Sequence, residues 1–202
     1  MTNVEEHELK DRLKLIETMI AEGRRTTERW GWTFVLWGVA YYVAIAWTTW
    51  GHSSLAWPVT MIAASVLTGA IIALKVRNRP ETTIARAISA VWIAMGISMF
   101  ILLLSLGMSG RFEQHTFVAI IGAMLGTANA TSSLILKWKM QFACALVWWA
   151  AAVAACFGSA KQTTIAFLVA TFFCQIVFGI YGMIAESRKE KPSEPRQGAV
   201  HA

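Results

Sequence analysis

The chain has 202 residues, 56% of them hydrophobic and 15% charged, with 18 Lys and Arg against 12 Asp and Glu for a net charge of +6. Soluble domains carry about 25% charged residues, so this composition excludes an ordinary water-soluble fold and points to a bilayer as the solvent. The positive charge does not indicate a nucleic-acid partner, because the basic residues are dispersed between apolar runs and form no groove-facing stripe.

Residues 1–29 are mostly polar and predict a cytoplasmic amphipathic helix. Leu9, Leu13, Ile16 and Ile20 recur at spacings of four, three and four, which makes one apolar stripe. Glu6 with Lys10 and Glu8 with Arg12 stand four apart with the acid first. Such pairs stabilise an exposed helix face by about 0.2–0.5 kcal/mol each. Two heptads alone make a marginal coiled coil, so the stripe needs cover: the end of the bundle, a second copy, the membrane surface or a separate protein. Seven acids against six bases in residues 1–30 give little attraction to anionic headgroups. A protein partner is therefore favoured over lipid, and the four stripe residues are the candidate partner-binding set.

Beyond residue 30, Asp, Glu, Lys, Arg and His are absent from residues 31–51, 53–74, 87–110, 116–136, 140–160 and 162–185. A helix rising about 1.5 Å per residue crosses about 30 Å of hydrocarbon in about 20 residues. The expected fold is all-α: a polytopic bundle over residues 30–186 with six transmembrane helices in three hairpins, at about 31–50, 55–74, 87–107, 116–136, 140–157 and 163–185. His52 lies in the polar turn between the first two spans, and Pro58 fits the first turn of the second. Thirty mostly polar residues precede the first apolar run, so a cleaved signal is not expected. The tail, 187–202, has two prolines and mixed charge, which predicts disorder.

Sixteen of the 18 Lys and Arg fall in the N-terminal segment, the second and fourth connections and the tail. Only Arg111 and Lys161 lie on the other side, a bias that puts both termini in the cytoplasm. Trp30, Trp32 and Trp138 mark the inner boundary, while Trp47, Trp50 and Trp57 cluster around the first outer loop. That is an aromatic belt. Trp148 and Trp149 fall mid-span and read as packing or lipid contacts, since no acid accompanies them to make a cage for a quaternary ammonium ligand.

On the fourth span Gly122, Gly126, Asn129 and Ser133 share one face. The GxxxG pair allows close helix approach, and Asn129 either bonds across helices, with Gln175 or Thr68 as candidates, or lines a wet cavity. This face is the candidate packing seam or pore. Trp37, Trp92 and Trp148 recur at spacings of 55 and 56, and Gly69, Gly126 and Gly182 at 57 and 56, which describes three hairpins. Helix length alone gives a similar period, so a true triplication is not required.

Catalytic residues, metals and cofactors are not expected. The spans hold no ionisable acid, base or metal cluster, and His52, Glu113 and His115 lack ligand spacing. Cys144, Cys156 and Cys174 are isolated and form no CxxC motif. No buried carboxylate or midplane Gly-Pro break marks an ion-coupled transporter.

Residues Leu13 to Gly38, LKLIETMIAEGRRTTERWGWTFVLWG, resemble the start of a group of uncharacterised bacterial six-helix integral membrane proteins. In these a short charged cytoplasmic helix enters a first span with an aromatic and Trp-Gly motif, matched here by Trp37 and Gly38. The resemblance implies a bacterial cytoplasmic membrane and, because such proteins occur beside small winged-helix regulators, a regulatory or stress-related setting. It transfers no active residue. The expected function is a non-enzymatic sensing, regulatory or scaffolding protein that uses its N-terminal helix as interaction surface, with the bilayer, a second copy and a cytoplasmic protein as partners. The alternative is a channel or passive small-molecule transporter lined by the polar face of the fourth span.

Overall fold

The computed structural model describes residues 3–52, 55–75, 83–109 and 113–190, and the regular structure among them is all helical. Arg77 and Arg79 in the second connection, Arg111 on the opposite side and the tail from residue 191 lie outside the described residues. In chain order the helices are α1 (Asn3–Arg29), α2 (Gly31–Gly51), α3 (Ala56–Lys75), α4 (Thr83–Met108), α5 (Gln114–Leu136), α6 (Lys139–Phe157) and α7 (Ala160–Thr171). A π-helical segment (Phe172–Val177) and α8 (Phe178–Glu190) follow.

Among the described residues six helical stretches are long and apolar enough to cross a membrane, and α7, the π segment and α8 form one of them. Another is the rod made by α1 and α2, Glu5–Gly51, because only a turn at Trp30 separates the two helices. Its 47 residues extend about 70 Å, more than twice the hydrocarbon thickness. The backbone N–H of Trp30 still bonds Thr26 O and Thr27 O, so the helical path is hardly interrupted.

Lipid tails are as apolar as leucine, so helices in a bilayer associate through close contact. Two glycine seams supply it. A Cβ on Gly31 would lie 2.6 Å from Gly179 O, and one on Gly179 would lie 2.6 Å from Gly31 O, so α2 and α8 touch backbone to backbone. In the second seam a Cβ on Gly122 would lie 2.9 Å from Trp148 O, and one on Gly126 would overlap the Trp149 ring. The α5–α6 turn is tight because Lys137 adopts the left-handed conformation, with φ of 49°, and both it and Trp138 donate to Ser133 O. Ser159 and Gln162 form a capping box that starts α7.

The core runs between these seams through Phe34, Tyr41, Ile121, Trp148, Phe167 and Phe178. By contrast α3 and α4 are peripheral and turn Ile62, Val66, Ile93, Ile97 and Phe100 outward. Gly69 and Gly96, on these two helices, have nothing within 4 Å of an added Cβ.

The glycines should therefore separate into two classes. Gly179→Ala forces a methyl group into backbone and is expected to lower stability by about 1–3 kcal/mol, as overpacking does. Gly69→Ala and Gly96→Ala remove a helix-weakening residue in open space and should gain up to about 1 kcal/mol. Denaturant unfolding in micelles checks both; equal effects at Gly179 and Gly69 would refute the seam.

Candidate functional site

Two arrangements bear on function: the seat of α1 at the basic end of the bundle, and a polar layer inside it. The apolar stripe of α1 does not end at Ile20. Gly23 and Thr27 continue it at spacings of three and four, and both are buried. A Cβ on Gly23 would meet Ile84 and Leu136 side chains at 2.7 and 2.8 Å, so this face of α1 lies flat on α4 and α5. Arg24 donates from Nη2 to Lys137 O at 3.2 Å and stands over the Trp138 ring at 5.5 Å. Arg29 pairs with Glu186 of α8 at 3.4 Å.

The four stripe residues therefore divide between two environments. Ile20 is half-buried at the edge of the seat, whereas Leu9, Leu13 and Ile16 are 47%, 53% and 52% exposed on the part of α1 beyond the bundle. The ion pairs Glu6–Lys10 at 2.7 Å and Glu8–Arg12 at 2.6 Å form along this free part. They are exposed pairs of small energetic effect.

On α5, Gly122, Gly126, Asn129 and Ser133 are all buried, and the two glycines face α6. Ser133 Oγ bonds back to Ala130 O, and Asn129 Nδ2 to Leu125 O. Asn129 bonds neither expected partner: Thr68 donates to Ala64 O on its own helix, and Asn129 Oδ1 is unpaired. Gln141 on α6, which is not among the residues expected at the site, is fully buried with both amide atoms unpaired. Trp148 Nε1, Thr171 Oγ1 and Gln175 Oε1 are unpaired as well. Leaving such a group buried and unpaired costs about 1–3 kcal/mol each. The spacing of Gln141, Cys144 and Trp148, three and four apart, is the sequence signal for this layer.

Cys144 and Cys174 are less isolated than their spacing suggests, since Cys174 Sγ donates to Cys144 O at 3.5 Å. His115 Nδ1 lies 3.1 Å from Thr163 Oγ1 and 3.0 Å from Ala155 O, and Thr116 donates to Glu113. Among the described residues no group of three or more His, Cys, Asp or Glu could hold a metal ion.

Arg24 is the side chain that ties α1 to the α5–α6 turn. Arg24→Ala removes a charge-assisted hydrogen bond and a cation–π contact, together about 1–2 kcal/mol at this half-exposed site. The population with α1 lifted should rise roughly 5- to 30-fold. Limited proteolysis between residues 14 and 25 in nanodiscs measures it; cleavage at the wild-type rate would mean that the Gly23 contacts and the Arg29–Glu186 pair hold the seat without Arg24.

No family model, no curated protein and no solved structure matches the chain.

Proposed function

We propose that the protein is a non-enzymatic regulator or scaffold of a bacterial cytoplasmic membrane, with both termini in the cytoplasm and α1 as the surface that docks a cytoplasmic protein. One observation carries this reading. The face of α1 that seats on α4 and α5 continues as an exposed apolar stripe, Leu9, Leu13 and Ile16, where the bundle ends. An exposed stripe on a helix held at its base by Arg24 and Arg29 is a preformed half of a helix-in-groove contact.

A second copy is a poor occupant. Two copies in one membrane point the same way, and each carries its own bundle on the side its stripe faces. Stripe-to-stripe pairing would drive the two bundles into the same space. Lipid is disfavoured by the balanced charge of residues 1–30. The corner between α1 and the bundle is flanked by exposed Lys137 and Lys139. The partner that fits presents an apolar helical face with acidic residues at the end that reaches the bundle.

The packing of α2 on α3, α4 on α5 and α6 on α7 supports three sequential hairpins, joined across the α5–α6 seam.

A photocrosslinker placed at Leu13, compared with one at Thr18 on the opposite face, tests the reading in native membranes. The expected result is an adduct of one defined protein at Leu13 only, reduced about tenfold or more by Ile16→Asp, since an apolar anchor replaced by a charge loses well over 1.4 kcal/mol. An adduct of twice the chain mass, a lipid adduct, or equal labelling at both positions would overturn it.

A further inference from the structure

The polar layer is uncharged, buried and unsatisfied. Asn129 is 1% exposed, Gln141 and Trp148 0%, Thr171 1% and Gln175 3%. Their unpaired atoms include both acceptors, on Asn129, Gln141, Thr171 and Gln175, and donors, Gln141 Nε2 and Trp148 Nε1.

The helix register places these groups at similar depth. The α5–α6 seam sets Gly122 against Trp148 O and Gly126 against Trp149, an antiparallel register that brings Asn129 level with Cys144. Gln141 and Trp148 lie one turn to either side of Cys144 on α6. Across from it Cys174 bonds Cys144 O, and on the same span Thr171 stands three residues before Cys174 and Gln175 directly after it. The π segment, whose Phe178 N–H reaches back to Phe173 O, puts both Cys174 and Gln175 in the interior. π segments are frequent at functional sites.

Aromatic rings close the layer on both sides. Towards the basic end, Phe34 stacks edge-on with Trp92 at 5.1 Å and Phe178 at 5.3 Å, and Trp138 lies 5.2 Å from Phe178. Towards the other end, Phe167 contacts Tyr41 at 5.6 Å and Trp148 at 5.8 Å. Beyond that ring the polar line resumes with fully buried Thr163 and its neighbour His115. Native interiors pair nearly all buried polar groups with protein or water, and hydrocarbon offers no partner.

We propose that this layer is the closed, selective constriction of a passive pathway for small uncharged hydrogen-bonding solutes, water being the smallest, running between α5, α6 and the last span. The carboxamides, the Thr171 hydroxyl and the Trp148 N–H replace the solute's hydration shell, and passage requires the aromatic rings to part. An ion finds no fixed counter-charge there. The inference is independent of the docking role of α1.

The full chain reconstituted in liposomes tests it by stopped-flow light scattering, with glycerol, urea and an impermeant sucrose gradient for water. Entry of at least one of the three should exceed that of protein-free liposomes. It should fall roughly tenfold or more in Gln141→Leu, where one wall of hydrogen bonds is lost. Thr171→Val, nearly equal in volume, should slow entry too and covers the case in which Gln141→Leu fails to fold. Acceleration of glycerol or urea assigns an organic solute, and acceleration in the sucrose gradient alone assigns water. Rates equal to protein-free liposomes for all three, with folded protein inserted, would overturn the proposal. So would rates untouched by both substitutions, or a faster potassium leak than uncharged-solute entry.

Discussion

Close approach at four glycines, backbone to backbone at Gly31, Gly179 and Gly122 and backbone to the Trp149 ring at Gly126, is the constraint on which the rest of the molecule depends. In water, burying apolar surface would hold these helices together; in lipid it does not, and proximity must come from the absence of side chains. Gly31 and Gly179 let α2 and α8 meet, and Gly122 and Gly126 let α5 and α6 meet. The first seam sets Arg29 beside Glu186 and thereby the angle at which α1 leaves the bundle. The second fixes the register that lines up Asn129, Cys144 and Gln141.

A division of labour follows from where the seams run. Helices α2, α5, α6 and the last span form the dense part, and the fully buried side chains, polar ones included, lie mostly on them. Helices α3 and α4 turn most of their surface outward, as lipid-facing helices can, and α4 adds Ile84 to the seat of α1. A shallow groove of about 280 Å³ between α4 and α5, lined by Val91, Met95, Met124, Thr127 and Ala128, opens towards the same apolar surroundings.

The six apolar stretches were legible because charge is excluded from each of them over about 20 residues, a signal that survives any tertiary context. The GxxxG on α5 was legible for a local reason, since both glycines sit on one helix. The Gly31–Gly179 contact was legible only in part: Gly179, Gly182 and Ala185 make a small-residue seam on the last span, but nothing local marks Gly31, far away in sequence, as what that seam meets. The π segment was hidden. Its residues FFCQIV contain no Gly or Pro, and the extra residue in the turn reflects the packing of Cys174 and Gln175 against neighbouring helices. On α1 the stripe itself was plain in the spacing of Leu9, Leu13, Ile16 and Ile20. Where it passes from docked to free depends on where α4 and α5 end, which α1 does not encode.

The polar layer and the helix that carries α1 meet at one contact. A Cβ on Gly38 would lie 2.9 Å from Gln175 Cβ and 3.0 Å from Ile176 Cγ1, so α2 lies directly against the π segment with no slack between them. Close-packed interiors switch between discrete arrangements and do not deform smoothly. Any rearrangement that turns Gln175 must therefore displace α2 or break the Gly38 contact. Because α2 continues through Trp30 into α1, displacement of α2 is transmitted along a rod whose far end carries Leu9, Leu13 and Ile16. The clamp of Arg24 on Lys137 O opposes that movement at the basic end of the bundle. A ligand of the polar layer and a partner of α1 would then bias the same helix, and thermodynamic linkage makes their influence on each other reciprocal.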